Sequence, residues 1–375
     1  MECKLLSNGL FLYPEVDKTF QSKPCCHFRY KGIEKLDLNT VQNTFATPQR
    51  IEALQSLKDN IKYESCSTCW KHEDVGYPSM RTRINEIQDF DTTTDKITYL
   101  EFNTGNTCNI ECIMCEPADS MRTKKYPHWN NIEAKARGYT KADIDNIDFS
   151  VLSNLQFLKA TGGETFYTKS YWYLLEKFIE QGLSRNISII IVTNNTIRLD
   201  SEKIRILNQF KRINIFSSID ATDELCGVIR AGSAWEQVDE NVQQLIDLHK
   251  QNPDKFLHTT PHGVVQFGNI LQLDEIVKWW HNIAQDEYKN KMYFRILSNP
   301  TFYDVKYTCN KIKANVVEAY KNIRELTHVA DYCKHNMDKN DSQLQQQCLV
   351  MFEQACKLNN QNPDVSLAYR ELKNA

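Results

Sequence analysis

The period of the hydrophobic positions changes at about residue 95. Beyond it, apolar runs at Ile97–Phe102, Gln156–Ala160, Ile187–Thr193, Ile213–Ile219, His262–Phe267 and Met292–Leu297 read as strands. Between them, apolar residues recur at helical spacing. Tyr171, Leu174, Leu175, Phe178 and Ile179 share one helical face. Trp235, Val238, Val242 and Leu245 share another, and Leu273, Ile276, Val277, Trp280 and Ile283 a third. Further helical stretches are predicted at about 118–136 and near Ile312–Leu326. Six β-then-α units in a row predict an α/β fold: a parallel sheet with helices outside it and right-handed crossovers. Six units are too few to close an eight-stranded barrel, so a partial, TIM-like (β/α)6 barrel is the expected architecture. A flat doubly wound sheet is the competing one. Both place functional groups at the carboxyl ends of the strands.

Residues 1–94 lack this rhythm. One helix start is clear there: Thr47 as N-cap, Pro48 at the first helical position, then Ile51, Leu54 and Leu57 at helical spacing. The rest reads as loop-like and cysteine-bearing, a small module held by a metal or cluster more than by a large core. The run Asp91–Asp95 reads as a linker. Residues 340–375 read as one or two helices, with Cys348, Val350 and Met351 forming an apolar stripe. The expected division is a cysteine-rich module at 1–94, a partial barrel at 95–330 and a helical extension at 331–375.

Composition narrows the function. Of 375 residues, 41% are hydrophobic and 25% charged, as in an ordinary globular protein. The net charge of −3 supplies no general attraction to nucleic acid or to anionic membrane. No apolar run approaches the ~20 residues needed to span a bilayer. With Glu2 and no long apolar segment at the amino end, no export signal is read, and a cytoplasmic location is expected. The 13 cysteines change the picture most. In a reducing compartment they are not kept for disulfides. Eight fall within the first 115 residues: Cys3, Cys25, Cys26, Cys66, Cys69, Cys108, Cys112 and Cys115. Clustered cysteines read as ligands. Cys226, Cys309, Cys333, Cys348 and Cys356 are scattered and read as small core side chains.

Cys108, Cys112 and Cys115 form a C-x3-C-x2-C triplet just after the first strand of the β/α series. Three thiolates on a short loop suit an iron–sulfur cube, which ordinarily takes four cysteines. Three leave one iron for a small chelating ligand. Zinc is the alternative, but it ordinarily takes C-x2-C pairs and a fourth Cys or His, and none follows Cys115 nearby.

The triplet in this position resembles the radical S-adenosylmethionine (SAM) superfamily. The resemblance implies a [4Fe–4S] cluster on Cys108, Cys112 and Cys115 whose free iron chelates the amino and carboxylate groups of SAM. It implies reductive cleavage of SAM to a 5′-deoxyadenosyl radical that abstracts hydrogen from substrate, with a reducing electron donor as partner. Gly162-Gly163-Glu164, ending the second strand, is similar to the family's motif for the SAM amino group, with Thr165 in place of the usual proline. Thr193-Asn194-Asn195 is similar to the Thr-Asn-Gly of many members, Asn195 substituting for glycine at positive φ. The resemblance further implies that Ser218 reaches the SAM ribose or carboxylate, that Arg230 meets the carboxylate, and that Val265 packs on adenine. Strand-end turn chemistry, a surface ion pair and plain core packing are the blander readings of these positions.

Cys66 to Asn85 resembles the C-x2-C-W-x2-E-x2-G-x2-S-x-R pattern of auxiliary-cluster segments in the SPASM/twitch subgroup, matching at Trp70, Glu73, Gly76, Ser79 and Arg81. Here the segment precedes the barrel. The resemblance implies a second iron–sulfur cluster, with Cys66, Cys69 and one of Cys25 or Cys26 as ligands. The fourth ligand stays open between the other member of that pair and Cys3, and zinc stays open as the metal. His27 reads as a surface or packing residue.

The expected function is thus that of a radical SAM enzyme, and kinship with the subgroup implies a peptide, protein or similarly sized substrate. A non-catalytic iron–sulfur or zinc protein serving electron transfer on the same scaffold is the alternative, and SAM binding separates the two. Nucleic-acid modification has only the basic cluster Arg122–Lys125 in its favour, which reads as a solvated helix face. Tyr167, Trp172, Tyr303 and Asp304 are candidates to line a substrate space, but nothing in the sequence marks them over packing residues.

Overall fold

The six expected strands are all present in the computed structural model, each within a few residues of its expected bounds. The structure describes residues 1–14, 20–29, 47–74, 78–87, 90, 92 and 96–374. Gly76 and most of the Asp91–Asp95 run lie outside them. The strands are β1 (Gly9–Pro14), β2 (Phe20–Lys23), β3 (Tyr99–Asn103), β4 (Glu111–Cys112), β5 (Phe157–Thr161), β6 (Ser188–Thr193), β7 (Arg212–Ser218), β8 (Arg230–Ala231), β9 (Thr260–Val265) and β10 (Tyr293–Ile296). Helices separate the later ones, giving the α/β alternation that the periodicity predicts.

The chain divides into two compact units. The first comprises Met1–Thr107, Ala136–Ile191 and Asp200–Ile213. Its sheet runs β6-β5-β3-β1-β2. The β5/β6, β3/β5 and β1/β3 pairs are parallel, Tyr99 lying opposite Phe157 and Leu10 opposite Leu100, while the hairpin partner β2 is antiparallel. Alternate residues of β5 and β6 are fully buried, Leu158 and Ala160 on one strand and Ile189 and Ile191 on the other. The helix Lys169–Glu180 returns Tyr171, Leu174, Leu175 and Phe178 to the core, four members of the predicted stripe.

The second unit comprises Cys108–Lys135, Val192–Leu199 and Asn214–Ala375. Its sheet runs β10-β9-β7, parallel throughout, with a separate antiparallel ladder of β4 and β8. The helices Trp235–Gln251, Leu273–Ile283 and Asn310–Tyr320 bury the apolar faces expected of them.

Several expectations are corrected. The amino-terminal segment is not loop-like throughout. Leu10, Phe11 and Leu12 are buried in β1, which adds to the parallel sheet beside β3. A six-residue strand buried at nearly every position, after a helix of only five residues, shows no period to detect. Thr47 takes the N-cap backbone position before Pro48, but its side chain makes no capping hydrogen bond. The stretch 118–136 forms two 3-10 turns, Met121–Lys125 and Pro127–Trp129, instead of an α-helix. Pro127 removes a backbone donor, and Thr123 Oγ1 bonds back to Ser120 O at 2.8 Å. Arg122 and Lys125 are not simply solvated, because both pair with Glu111. In the helix Ser342–Leu358 the buried stripe is Cys348, Phe352, Ala355 and Cys356, while Val350 and Met351 are only half-buried. Cys226, Cys333, Cys348 and Cys356 are core side chains as expected, and Cys309 is half-buried. No helix among the described residues is long and apolar enough to cross a membrane.

Candidate functional site

The cysteine triplet occupies the loop that follows β3 in the chain. Its shape is set by backbone bonds within the second unit. Cys112 lies in β4 opposite Arg230 of β8. Ile113 N donates to Ile229 O at 3.0 Å, and Cys115 N donates to Cys112 O at 3.1 Å, turning the loop back on itself. Tyr126 Oη donates to Glu111 O at 2.6 Å and Ser120 Oγ to Ile110 O at 3.2 Å, holding the flanks. Ile110, Ile113 and Met114 anchor the loop in the core, so the sulfurs are placed by packing before any metal is considered.

The three thiols have different surroundings. The Cys112 thiol is held below its ordinary pKa, first by a hydrogen bond with Cys115, then, against burial, by the Arg230 guanidinium. The Cys115 thiol is pushed up by that same hydrogen bond and by burial. Cys108 Sγ lies 3.9 Å from Asn194 Nδ2, which also donates to Asn109 Oδ1 at 3.0 Å. Arg230 is 9% exposed and is not a surface residue: its Nη1 donates to Asp220 Oδ2 at 2.6 Å. Asp220 is in turn held by Val264 N on its Oδ1 at 2.6 Å. The Arg230 charge favours the thiolate forms of Cys112 and Cys115, and Asp220, which holds the guanidinium in place, partly opposes it at Cys112.

Asn195 adopts φ +58°, the left-handed conformation expected of it. It is buried and tied into the scaffold: Ser217 Oγ donates to its Oδ1 at 3.2 Å and Asn241 Nδ2 to its carbonyl at 2.8 Å. The neighbour that reaches the cysteine loop is Asn194, to which the sequence motif assigned no role. The positive φ at Asn195 turns the chain there, and its only trace in the sequence was the Asn-Asn pair itself. Ser218 is half-buried at the end of β7, on the strand face opposite the buried Ser217. Val265 is fully buried in the core.

In the first unit, the Gly162–Glu164 turn fits closely against the segment after β3. Gly162 has φ +122°, and a Cβ there would lie 2.7 Å from Gly105 O and 2.7 Å from Thr104 Oγ1. Gly163 N donates to Gly105 O at 2.8 Å, and Glu164 N to Thr107 O at 2.9 Å. The turn therefore needs its first glycine for both conformation and space. Glu164 is 1% exposed, with Oε1 accepting from Phe166 N at 2.9 Å.

Four further thiols meet in the first unit. Cys3, Cys25, Cys66 and Cys69 line one cavity with an empty volume of about 410 Å³, counting space open to solvent, and Trp70 and Arg81 complete its wall. Burial pushes the Cys3 thiol up to about 11 and the Cys66 thiol to about 12. The Glu-Ser-Arg part of the motif now has a structural role. Ser79 caps the helix Met80–Asn85 and donates to Glu73; Arg81 Nε donates to Glu73 Oε1 at 3.1 Å, and its guanidinium lies 4.9 Å from the Trp70 ring centre. Cys26 does not line this cavity. Its thiol faces Glu101 of β3 and Lys159 of β5, an ion pair at 3.0 Å, and burial pushes it up to about 12. Cys26, which had been grouped with Cys25, Cys66 and Cys69, neighbours the Cys25 thiol but lies outside the cavity lining. His27 borders the cavity and is half-buried. Among the described residues, no three His, Cys, Asp or Glu side chains converge on the position of a single metal ion.

Tyr167 is 50% exposed, whereas Tyr303 and Asp304 are buried in the second unit's core. Trp172 Nε1 donates to Phe166 O at 3.0 Å.

No protein-family model matches the chain, and no curated protein matches it. Solved structures similar to it include native anSMEcpe with bound AdoMet, at 14% identity and TM-score 0.41, covering 63% of this chain and 62% of that one. Streptococcus suis SuiB bound to S-adenosylmethionine is similar at 16% identity and TM-score 0.40, covering 74% and 57%. A third is the radical S-adenosylmethionine methyltransferase TsrM from Kitasatospora setae with cobalamin and a [4Fe-4S] cluster, at 12% identity and TM-score 0.38, covering 59% and 39%. The chain thus matches less than two thirds of the length of each of these three.

Proposed function

We propose that this chain is a radical SAM enzyme whose cluster is held by Cys108, Cys112 and Cys115. One observation carries the reading: the triplet sits on a packed loop with the Cys112 and Cys115 thiols in contact and the Arg230 guanidinium fixed against them by Asp220. A donor set of three thiols beside a buried cation fits an anionic cluster with one position left for a chelating ligand. When bound, the cluster supplies the electron that cleaves SAM to methionine and a 5′-deoxyadenosyl radical.

The chain's own residues bind and orient. Arg230, preoriented by Asp220, offers its Nε, which has no hydrogen-bond partner among the described residues, to a carboxylate. Asn194 orders the loop at Cys108. Gly162 and Gly163 let backbone approach a ligand closely, and Glu164 offers a buried carboxylate for an ammonium. Asn195 and Ser218 complete the assignments at the strand ends. A second, auxiliary cluster in the amino-terminal module, a peptide, protein or small-molecule substrate and a reducing electron donor belong to the same reading, as does the division at residues 94 and 330.

The test is anaerobic. Reconstituted protein with dithionite and SAM is expected to release 5′-deoxyadenosine, and Cys112→Ala is expected to abolish that release, a loss on the order of 10³-fold or more. In a SAM titration, Glu164→Ala is expected to weaken binding by about tenfold, the value of one hydrogen bond to a charged group. A wild-type protein that takes up no iron at the triplet, or SAM binding indifferent to Glu164→Ala, refutes the assignment.

A further inference from the structure

The carboxyl-terminal extension has no part in the proposed chemistry, yet it reaches the cysteine loop. The helix Ser342–Leu358 is anchored in the second unit's core by Cys348, Phe352, Ala355 and Cys356. Its end delivers Asn359, one residue beyond the last turn. Asn359 Nδ2 donates to Ala355 O at 2.9 Å, satisfying a carbonyl left open at the helix end, and to Tyr126 Oη at 2.8 Å. Its Oδ1 accepts from Lys125 Nζ at 2.7 Å. Three of the four hydrogen bonds open to an amide are therefore made, and two of them leave the helix for the flank of the loop. Tyr126, 0% exposed, passes the constraint on. Its hydroxyl accepts from Asn359 and has one proton to give, which goes to Glu111 O at 2.6 Å. That carbonyl belongs to the peptide joining Glu111 to Cys112. On the far side of Cys112, Ile113 N donates to Ile229 O at 3.0 Å. The Glu111 carboxylate closes the circuit. It accepts from Arg122 Nε at 3.0 Å and pairs with Lys125, the lysine that Asn359 also holds.

We infer that Asn359 and Tyr126 are positioning residues for Cys112, through which the carboxyl-terminal segment sets the orientation of the cysteine loop. The direction of the hydrogen bonds carries the argument. The amide donates to Tyr126 Oη, so the phenol donates onward to Glu111 O. An ionised carboxylate in place of Asn359 only accepts. It draws the phenolic proton to itself and leaves Glu111 O without that partner, while Lys125 keeps an acceptor. Packing has no such direction, since Asn and Asp fill nearly the same volume. The consequence for metal rests on the proposed cluster at Cys108, Cys112 and Cys115: a ligand whose peptide is free to turn holds iron less firmly.

The test starts from the metal-free full chain, in which Cys112 is 4% exposed. Iodoacetamide labelling of each cysteine is followed by peptide mass, and far-UV circular dichroism monitors folding. Cys348, buried in the helix that leads to Asn359, is the internal control. Asn359→Asp is expected to speed labelling of Cys112 about five- to tenfold, the value of one hydrogen bond in a local opening, with Cys348 unchanged. Tyr126→Phe, which keeps the ring and removes the hydroxyl, is expected to do the same. The double variant is expected to match either single one, because both break the same chain of bonds. After anaerobic loading with iron and sulfide, each variant is expected to yield iron to a chelator faster than wild type.

Unchanged labelling of Cys112 in both single variants overturns the inference. So does a rise shared by Cys348, which marks a loosened helix, and so do additive effects in the double variant, which separate Asn359 from Tyr126. Iron lost no faster from the variants than from wild type overturns it as well. If Asn359→Asp does not fold, Tyr126→Phe decides by the same comparison. Wild-type protein that takes up no iron at the triplet overturns the cluster reading instead, and the labelling of Cys112, read without metal, still decides whether Asn359 and Tyr126 position it.

Discussion

The two groups of cysteines are brought together by opposite routes. The Cys108–Cys115 loop compresses its three thiols into eight residues, and the core beneath it is large and apolar. The amino-terminal cavity collects its four thiols over a span from Cys3 to Cys69, on two small apolar clusters centred on Leu6, Phe28 and Trp70 and on Leu5, Ile84 and Tyr99. Each site carries an arginine paired with a carboxylate, but the pairs differ in burial. Asp220 and Arg230 have side chains 0% and 11% exposed, Glu73 and Arg81 19% and 14%. The lesson is that a compact cysteine loop can be organised by a deep core, whereas a dispersed set of cysteines needs polar ties such as those of Arg50 and Arg81 between its segments.

The largest effect expected from breaking this contrast is at Asp220. Asp220→Ala strands a buried guanidinium, and chemical denaturation is expected to register a loss of about 3–5 kcal/mol. A change under about 1 kcal/mol would mean that the pair is solvated and that the contrast with the other site is false.

A middling effect is expected from pH. His128 stands beside the cysteine loop in a ring cluster with Tyr126, Trp129, Phe302 and Tyr303. Burial pushes its pKa down to about 4, against a hydrogen bond with the Ile113 backbone that favours the charged ring. The unfolded chain takes up a proton near its ordinary value, while the folded chain resists until much lower pH. Stability is therefore fully present above the unfolded value and falls as pH drops between the two. The expected loss from pH 7 to pH 5 is on the order of 1 kcal/mol, discounted for partial exposure. His128→Phe is expected to flatten that slope in thermal melts at the two pH values. An equal slope in both proteins removes His128 as the cause.

The smallest effect is at the amino-terminal pair. Burial alone would raise the Glu73 carboxyl, but hydrogen bonds from Arg81 and Ser79 and the guanidinium charge hold it below the usual carboxylate range. Its stabilisation is present above that range and fades as pH falls through it. Glu73→Gln is expected to cost under about 1 kcal/mol at pH 7 and nothing at the acid end, by denaturant midpoint. A loss comparable to that of Asp220→Ala would show that the two sites are braced alike.

Much of the scaffold was legible because the chain writes its own period. Strands such as Ile187–Thr193 and helix faces such as Tyr171–Phe178 repeat at spacings that only one kind of element satisfies. The triplet was legible for the same reason, since all its spacing is local. What escaped was nonlocal. Leu10–Leu12 of β1 are strand-forming residues whose partner, β3, lies some ninety positions away. Asn194 reaches Cys108 only because Asn195 turns the chain at positive φ. Asp220 and Arg230 are ten positions apart, and only the folded chain pairs them.

By itself, then, the order of residues determined the α/β alternation, the place of Cys108, Cys112 and Cys115 after the strand at Tyr99, and the presence of a cysteine-rich segment before it. Only the tertiary structure decided that Cys3 lines one cavity with Cys25, Cys66 and Cys69 while Cys26 does not, and that Arg230 is a buried, paired cation. The physical reason is range. Period and spacing act through bonds between near neighbours. The direction of a side chain in an irregular turn, and the partner of a buried charge, are set by segments that meet only when the core closes.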